Sequence, residues 1–216
     1  MTPVDAPFTT VFARALRGEP CAVVGPMVGP GGTRALPVAE WTREADDSDA
    51  LLLEQCDGPT IDIGCGPGRL TAALAALGHL VLGIDVVPEA VGLARRRGGA
   101  ALHRDVFGPV PGEGRWGTAL LADGNIGIGG DPGALLARVR QLLDPRGRVV
   151  VELAGPGTGT ATGWAVLECA GLRSRPFRWS VVGVDAVAAL AAAVGLAAVA
   201  VHTWDGRWCA VLETAT

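Results

Sequence analysis

No stretch of this chain restricts its fold more than Thr60-Ile61-Asp62-Ile63-Gly64-Cys65-Gly66-Pro67-Gly68-Arg69-Leu70. An apolar run at 59–63 has strand character. It enters three alternating glycines, and a helix-forming run at 69–77 follows until Gly78 stops it. Glycines allow positive φ and let a ligand approach the backbone closely. The helix that opens behind them presents unpaired N–H groups and a positive partial charge, which suits an anionic group.

The same strand–helix alternation continues along the chain. Helices are expected at 48–55 (capped by Asp47 or Ser48), 88–97 and 132–143, the last with Asp131 as N-cap and Pro132 at its first position. Strands are expected at 80–84, 100–104, 116–122 and 148–153, mostly apolar, as when helices cover both faces of a sheet. Strands at 164–169 and 172–180 would form a hairpin about Ala170-Gly171, followed by a helix at 185–194. Strands at 199–204 and 207–212 flank Asp205-Gly206, a strong two-residue hairpin signal. The pattern predicts a doubly wound, mostly parallel α/β sheet that ends in an antiparallel hairpin. Residues 1–45 read as an N-terminal extension or lid, with a short helix at 8–16 and a Gly/Pro-rich stretch at 25–32. Residues 46–216 read as one domain with a hairpin insertion at 160–180.

Composition removes several functions. The net charge is -4 and the 18 basic residues are all Arg. The compact basic cluster, Arg95-Arg96-Arg97, falls where a helix ends, and cations there complement the helix dipole. No nucleic-acid partner is expected. Residues 181–201 are apolar enough to raise a membrane helix, but Asp185 interrupts them, Ala is weakly apolar, and Gly195 splits them. No membrane partner is expected, and the opening residues MTPVDAPFTT lack signal-peptide character, so the expected location is cytoplasmic. The five cysteines are odd in number with no Cys-x-x-Cys pair, indicating neither a zinc site nor a disulfide framework. Absent Lys and heavy Ala, Gly and Arg use suggest a GC-rich, bacterial source.

The glycine turn alone leaves the bound molecule open. The dinucleotide pattern needs glycine at 69, where Arg69 stands, and the phosphate-loop pattern needs a lysine. Asp85 ends the next strand, about twenty residues on, where a carboxylate can accept bonds from both hydroxyls of a ribose. Asp105 ends the third strand on the same sheet edge. It can accept from an adenine amino group, with the Val106 N–H beside it for a ring nitrogen.

These motifs, in this order, resemble the class I (Rossmann-like) S-adenosylmethionine (SAM)-dependent methyltransferase family over residues 48–155, and the closing hairpin also fits. The resemblance implies a seven-stranded sheet in the order 3-2-1-4-5-7-6 with the last strand antiparallel. It implies that Gly64, Cys65 and Gly66 line the methionine part of SAM while Asp62 supports the loop. Asp85 would hold the ribose with Val86 beside it, and Asp105 with Val106 the adenine. The fourth strand's end would lie under the methyl group. That makes Ala122 and Asp123 cofactor contacts, Asp123 the candidate catalytic carboxylate, and Asn125 a candidate for the acceptor. Trp41 and Arg43 are candidates to close over the site, with Arg43 meeting a carboxylate.

No convincing base is evident. His79, His103 and His202 read as structural. The Asn-Pro-Pro-aromatic motif of the family's amide and nucleobase N-methylating members is absent, and Glu152-Leu153-Ala154-Gly155 lacks the acidic pair with an Asn of a metal-assisted site, so no metal is expected. The acceptor is expected to be a small molecule between the N-terminal segment, the 123–131 loop and the 160–180 insertion, with Trp164, Phe177 and Trp179 as a possible wall. Two other readings stand beside this one: a SAM-binding regulatory or structural protein without methyl transfer, and a nicotinamide-dependent reductase, which Arg69 disfavours.

Overall fold

The computed structural model describes residues 4–26 and 31–215. The N-terminal part runs β1 (Val4–Ala6), α1 (Phe8–Leu16), β2 (Cys21–Val24), β3 (Thr33–Ala35), α2 (Val38–Thr42) and α3 (Asp47–Glu54). Next come β4 (Thr60–Ile63), α4 (Arg69–Ala76), β5 (Val81–Asp85), α5 (Pro88–Arg96), β6 (Ala101–His103), β7 (Trp116–Leu121), α6 (Pro132–Leu142) and β8 (Leu143–Leu153). The chain closes with β9 (Thr160–Cys169), β10 (Leu172–Ser174), β11 (Phe177–Val182), α7 (Val187–Ala192), β12 (Leu196–Trp204) and β13 (Arg207–Thr214).

The main sheet has the order β6-β5-β4-β7-β8-β13-β12. Counted along the chain, its strands lie 3-2-1-4-5-7-6, as expected. β4 pairs parallel with β5 and β7, and β13 runs antiparallel to both β8 and β12. Alternation sorts each central strand between two cores. Ala119, Leu121, Val149 and Val151 face Leu135, Leu136 and Val139 of α6. Leu120 and Val150 face Leu52 of α3 and Leu70 and Leu74 of α4. Helices on both faces are the consequence.

A second sheet, β1-β10-β9-β2-β3 with β11 also on β9, was not evident from the sequence. Strands of the first 45 residues pair with strands of the 160–182 region: Cys21 to Val24 lie antiparallel to Val166 to Cys169. The expected single strand at 172–180 is two. β10 pairs with the end of β9, and the chain breaks at Arg175-Pro176, where proline offers no N–H to a ladder, before β11 pairs with residues 160–165.

Three further expectations change. The α3 cap is Asp46, one residue earlier than expected. It accepts from the Ser48 N–H, and Asp49 answers as the reciprocal half of a capping box. Residues 181–201 divide between β11, α7 and β12, and no helix among the described residues is long and apolar enough to cross a membrane. Of the Gly/Pro-rich stretch at 25–32, residues 27–30 lie outside the described residues.

Cys21 and Cys169, directly opposed on β2 and β9, form a disulfide across 148 residues of sequence, against the expectation of none. The pairing was hidden because the strands that align them are short and distant. Closing so long a loop restricts the unfolded chain, and native bridges typically contribute about 2–4 kcal/mol. Reduction should lower the urea midpoint accordingly. Equal midpoints with and without dithiothreitol would show that the bridge contributes nothing.

Candidate functional site

The carboxyl ends of β4, β5, β6 and β7 open into a cavity of about 1200 Å³, roofed by the second sheet. It is lined on the main-sheet side by Asp62, Gly64, Cys65, Gly66, Asp85, Val86, Asp105, Val106, Ala122, Asp123 and Asn125. The sequence-derived candidates therefore converge on one site, at the edge where doubly wound sheets bind ligands.

The glycine turn is held from several sides. Gly64, Gly66 and Gly68 have φ of 73°, 52° and 84°. A Cβ on Gly64 would meet Asn125 Nδ2 at 2.7 Å, and one on Gly68 would meet Ala94 of α5 at 2.5 Å. A Cβ on Gly66 would meet nothing within 4 Å, although Gly66 lines the cavity. Two glycines thus serve close packing, and the third keeps a space that a ligand can fill. Asn125 donates its amide to the Ile63 and Gly64 carbonyls, both at 2.9 Å. Its amide nitrogen is spent on the loop, which corrects its expected role as an acceptor contact. Cys65 turns its thiol into a buried cluster with Val91, Ala94 and Ala101, beneath Gly83, leaving its backbone for the cavity.

Asp62 is buried and accepts from the Thr71 hydroxyl at 2.6 Å, tying the strand to the first turns of α4. Burial pushes its carboxyl up to about 6; the Thr71 bond opposes this and the charge of Asp123 adds to it. The folded state then holds the proton more tightly than the unfolded chain. Stability of the ligand-free protein is therefore highest below about pH 4 for this group and falls as pH rises to about 6, by about 3 kcal/mol at most. Asp62→Asn should flatten that slope in urea melts from pH 4 to 7. An unchanged slope would assign the titration to another group.

Asp85 accepts from the Gly66 N–H at 2.9 Å and the Val87 N–H at 2.8 Å. Burial raises its carboxyl, and these two bonds work against that rise. Asp105 accepts from the Phe107 N–H at 3.0 Å, and the Val106 N–H donates to no atom of the described residues. A free donor beside a carboxylate is what an adenine edge requires.

The sequence did not reveal the ionic network under the cavity. Asp49 is fully buried, and Arg69 on α4 donates to it. Arg69 also donates to both carboxylate oxygens of Asp123, at 2.8 and 2.7 Å. Arg43 reaches Asp49 at 2.7 Å. Arg207, behind the terminal hairpin turn, reaches Asp49 at 3.3 Å and Glu152 at 2.8 Å. Glu152 accepts from the Asp123 N–H at 2.8 Å. Burial pushes Asp49 up, but the bonds from Arg43 and Arg69 prevail and hold it at about 2. Arg43, Arg69 and Arg207 thus bind Asp49, Asp123 and Glu152 together, and Arg43 also pairs with the exposed Glu40 and Asp46. The two expected roles change accordingly. Asp123, the candidate catalytic carboxylate, holds Arg69, and Arg43, expected to meet a carboxylate over the site, meets that of Asp49 and the Ser48 hydroxyl.

Trp41 lines the cavity and stacks on Phe12, with ring centroids 5.5 Å apart. Arg97 anchors α2 by donating to the Trp41 and Thr42 carbonyls, a use beyond the expected dipole contact. Phe177 and Trp179 line the roof, whereas Trp164 points to solvent, 61% exposed, and does not. His103 lies 3.0 Å from the Val86 carbonyl, and no histidine lines the cavity.

Residues 61–147 match the family model described as a methyltransferase domain. The chain matches that domain from β4 into β8, over less than half of its length. Its fold is similar to that of a SAM-dependent methyltransferase from Bacteroides fragilis solved with S-adenosyl-L-homocysteine. The identity is 20%, 97% of this chain and 95% of that one are covered, and the TM-score is 0.78. It is similar also to the CcbJ methyltransferase of Streptomyces caelestis, at 18% identity over 82% of this chain and 92% of that one, with a TM-score of 0.62. A third likeness is to the Burkholderia thailandensis 1,6-didemethyltoxoflavin-N1-methyltransferase, at 22% identity over 99% and 94%, with a TM-score of 0.60. The methyltransferase domain holds the glycine turn, Asp85, Asp105 and the Asp123 loop. The roof sheet lies outside the matched residues, so the family model bears on the donor side of the cavity.

Proposed function

We propose that this methyltransferase domain transfers a methyl group from SAM to a small-molecule acceptor. The observation that carries the reading is the register of Gly66, Asp85 and Asp105 along one wall of one cavity. The residues fit the cofactor: Gly66 leaves open the space a Cβ would fill, Asp85 keeps lone pairs for ribose hydroxyls, and Val106 keeps a free N–H. Bound SAM supplies a sulfonium methyl for in-line displacement. The chain's own part is orientation and exclusion of water. The floor network fixes Asp123 and Arg69 beneath the fourth strand's end, and Trp41 with the roof closes the other side.

The acceptor half is read from the roof. A cavity of about 1200 Å³ exceeds the usual few hundred to about 1,000 Å³ of a small-ligand site, which suits a cofactor together with a compact acceptor. Asn125 and Arg43 serve as supports for the loop and for α3, and Trp41 as a contact. We place the protein in a bacterial cytoplasm on its composition. Glutathione would hold Cys21 and Cys169 reduced there. A thiol count on protein alkylated in fresh lysate tests this. Five alkylated cysteines are expected, and three would place the chain in an oxidising compartment.

Calorimetric titration with SAM, S-adenosylhomocysteine and NAD tests the reading. Binding of the first two and not of NAD is expected. Folded protein that binds neither would refute it. Binding without turnover across a broad acceptor panel would favour the non-enzymatic alternative.

A further inference from the structure

We propose that the acceptor is a planar aromatic compound that is already an anion at neutral pH. The proposal rests on the methyl-transfer reading and deepens it.

The shape argument comes from the roof. The sequence holds six Trp, four Phe and no Tyr, and five of these ten rings line the one cavity: Phe8, Phe12, Trp41, Phe177 and Trp179. They form a chain of contacts. Phe8 meets Phe177 edge-on at 4.9 Å, Phe177 meets Trp179 at 6.4 Å, and Phe12 stacks on Trp41 at 5.5 Å. Strand alternation sets the roof's inner face. Val23, Ala165, Leu167, Phe177 and Trp179 line the cavity at inward positions of their strands, with Leu36 just past β3. Trp179 also sits at the methyl-facing edge. β11 bridges Ile128, and a Cβ on Gly127 would meet Trp179 Nε1 at 2.6 Å. Glycine at 127 is thus what lets the indole approach the loop after β7. Flat rings select flat, apolar partners by offset or edge contacts.

The charge argument comes from the titratable groups around that wall. Arg34 on β3, opposite Val23 on the roof's inner face, lines the cavity with no acidic partner among the described residues, whereas Arg178 on β11 lies opposite Trp164 on the outer face. Glu40 on α2 lies 3.2 Å from Arg43, and Asp123 is held by Arg69. Asp205 lies at the terminal hairpin turn, away from the roof strands, and Asp105 with Arg104 lies at the opposite end, beyond β6. The acceptor wall itself carries one cation, Arg34, and among the described residues it has neither a histidine nor an unpaired carboxylate. No histidine or unpaired carboxylate stands there to take a proton from an alcohol or an ammonium group. A nucleophile that carries its own negative charge needs no such group, and it meets both Arg34 and the sulfonium favourably. The step then balances without a base. The acceptor's lone pair forms the new bond to the methyl carbon. The carbon–sulfur bond breaks with its electron pair going to sulfur, and no proton is released.

Two measurements test this. With S-adenosylhomocysteine bound, quenching of tryptophan fluorescence reads the affinity for 2-naphthoate, naphthalene-2-carboxamide and cyclohexanecarboxylate. The aromatic anion should bind at least about tenfold more tightly than either the neutral or the non-aromatic probe, a gap of about 1.4 kcal/mol. Arg34→Gln, at an exposed position, should erase the preference over the carboxamide, and Phe177→Leu the preference over the cyclohexane acid. In turnover, phenols and enols of graded acidity should give pH–rate midpoints that follow each acceptor's own pKa. Equal affinity for the three probes, no probe binding by protein that binds S-adenosylhomocysteine, or one midpoint for all acceptors would overturn the proposal. The methyl-transfer reading itself fails if S-adenosylhomocysteine does not bind, or if no acceptor of any class is turned over.

Discussion

Arg69→Ala should cost about 3–5 kcal/mol of stability, the loss typical of breaking a buried ion pair from one side. Asp49 would remain fully buried beside Arg43 and Arg207 alone, and Asp123 would lose the donor to both its oxygens. Much of that cost is the penalty of an uncompensated carboxylate. Arg69→Met with Asp49→Leu removes both charges and should recover part of the loss, since apolar replacement of a whole pair is far cheaper than its rupture. Urea denaturation of both variants decides the matter. If Arg69→Ala lies within about 0.5 kcal/mol of the native protein, as ordinary surface changes do, the network is no stabilising device.

Gly68→Ala and Gly66→Ala should separate stability from binding. At Gly68, φ is 84° and the new Cβ would sit 2.5 Å from the Ala94 Cβ and 2.6 Å from its Cα. Left-handed strain of about 1–2 kcal/mol adds to overpacking of about 1–3 kcal/mol, because α5 backbone cannot swing aside as a long side chain would. At Gly66 the strain is similar, with φ of 52°, but the Cβ meets no protein atom. Gly66→Ala should therefore fold with a loss of about 1–2 kcal/mol. Its affinity for SAM should fall about a hundredfold or more, because the methyl occupies space meant for the cofactor; by the usual conversion that is about 2.7 kcal/mol. Equal affinities for Gly66→Ala and the native protein would move the cofactor away from this turn.

The two halves of the site were unequally legible in the sequence. The glycine turn, Asp85 and Asp105 were readable because each ends a strand whose apolar run is local, and parallel strands bring such ends to one edge without further information. The same alternation and the Asp205-Gly206 turn gave the doubly wound sheet with its closing hairpin, and the strand order came from the family resemblance. The roof was not readable. β2 and β3 are four and three residues long, and β9, which joins β2 to the rest of the sheet, lies more than a hundred residues away, so neither periodicity nor turn chemistry connects them. The disulfide was hidden for the same reason. The floor network was missed because Asp49 and Arg207 look like ordinary surface charges in sequence. Arg69 was noticed only as a residue that breaks the dinucleotide pattern. Its position directly behind the glycine turn was the available signal, since a cation at a helix start opposes the dipole and needs acidic partners to be stable there.

The central claim is that the Gly66 turn and Asp85 form the binding surface for SAM. Calorimetric titration of S-adenosylhomocysteine into the native protein and into Asp85→Asn, with matched unfolding curves, tests it most directly. One-to-one binding by the native protein is expected, with at least about tenfold weaker binding by the variant, as loss of a charged hydrogen-bond acceptor of about 1.5–3 kcal/mol requires. Full affinity in a folded Asp85→Asn protein, or no binding by the native one, would contradict the account.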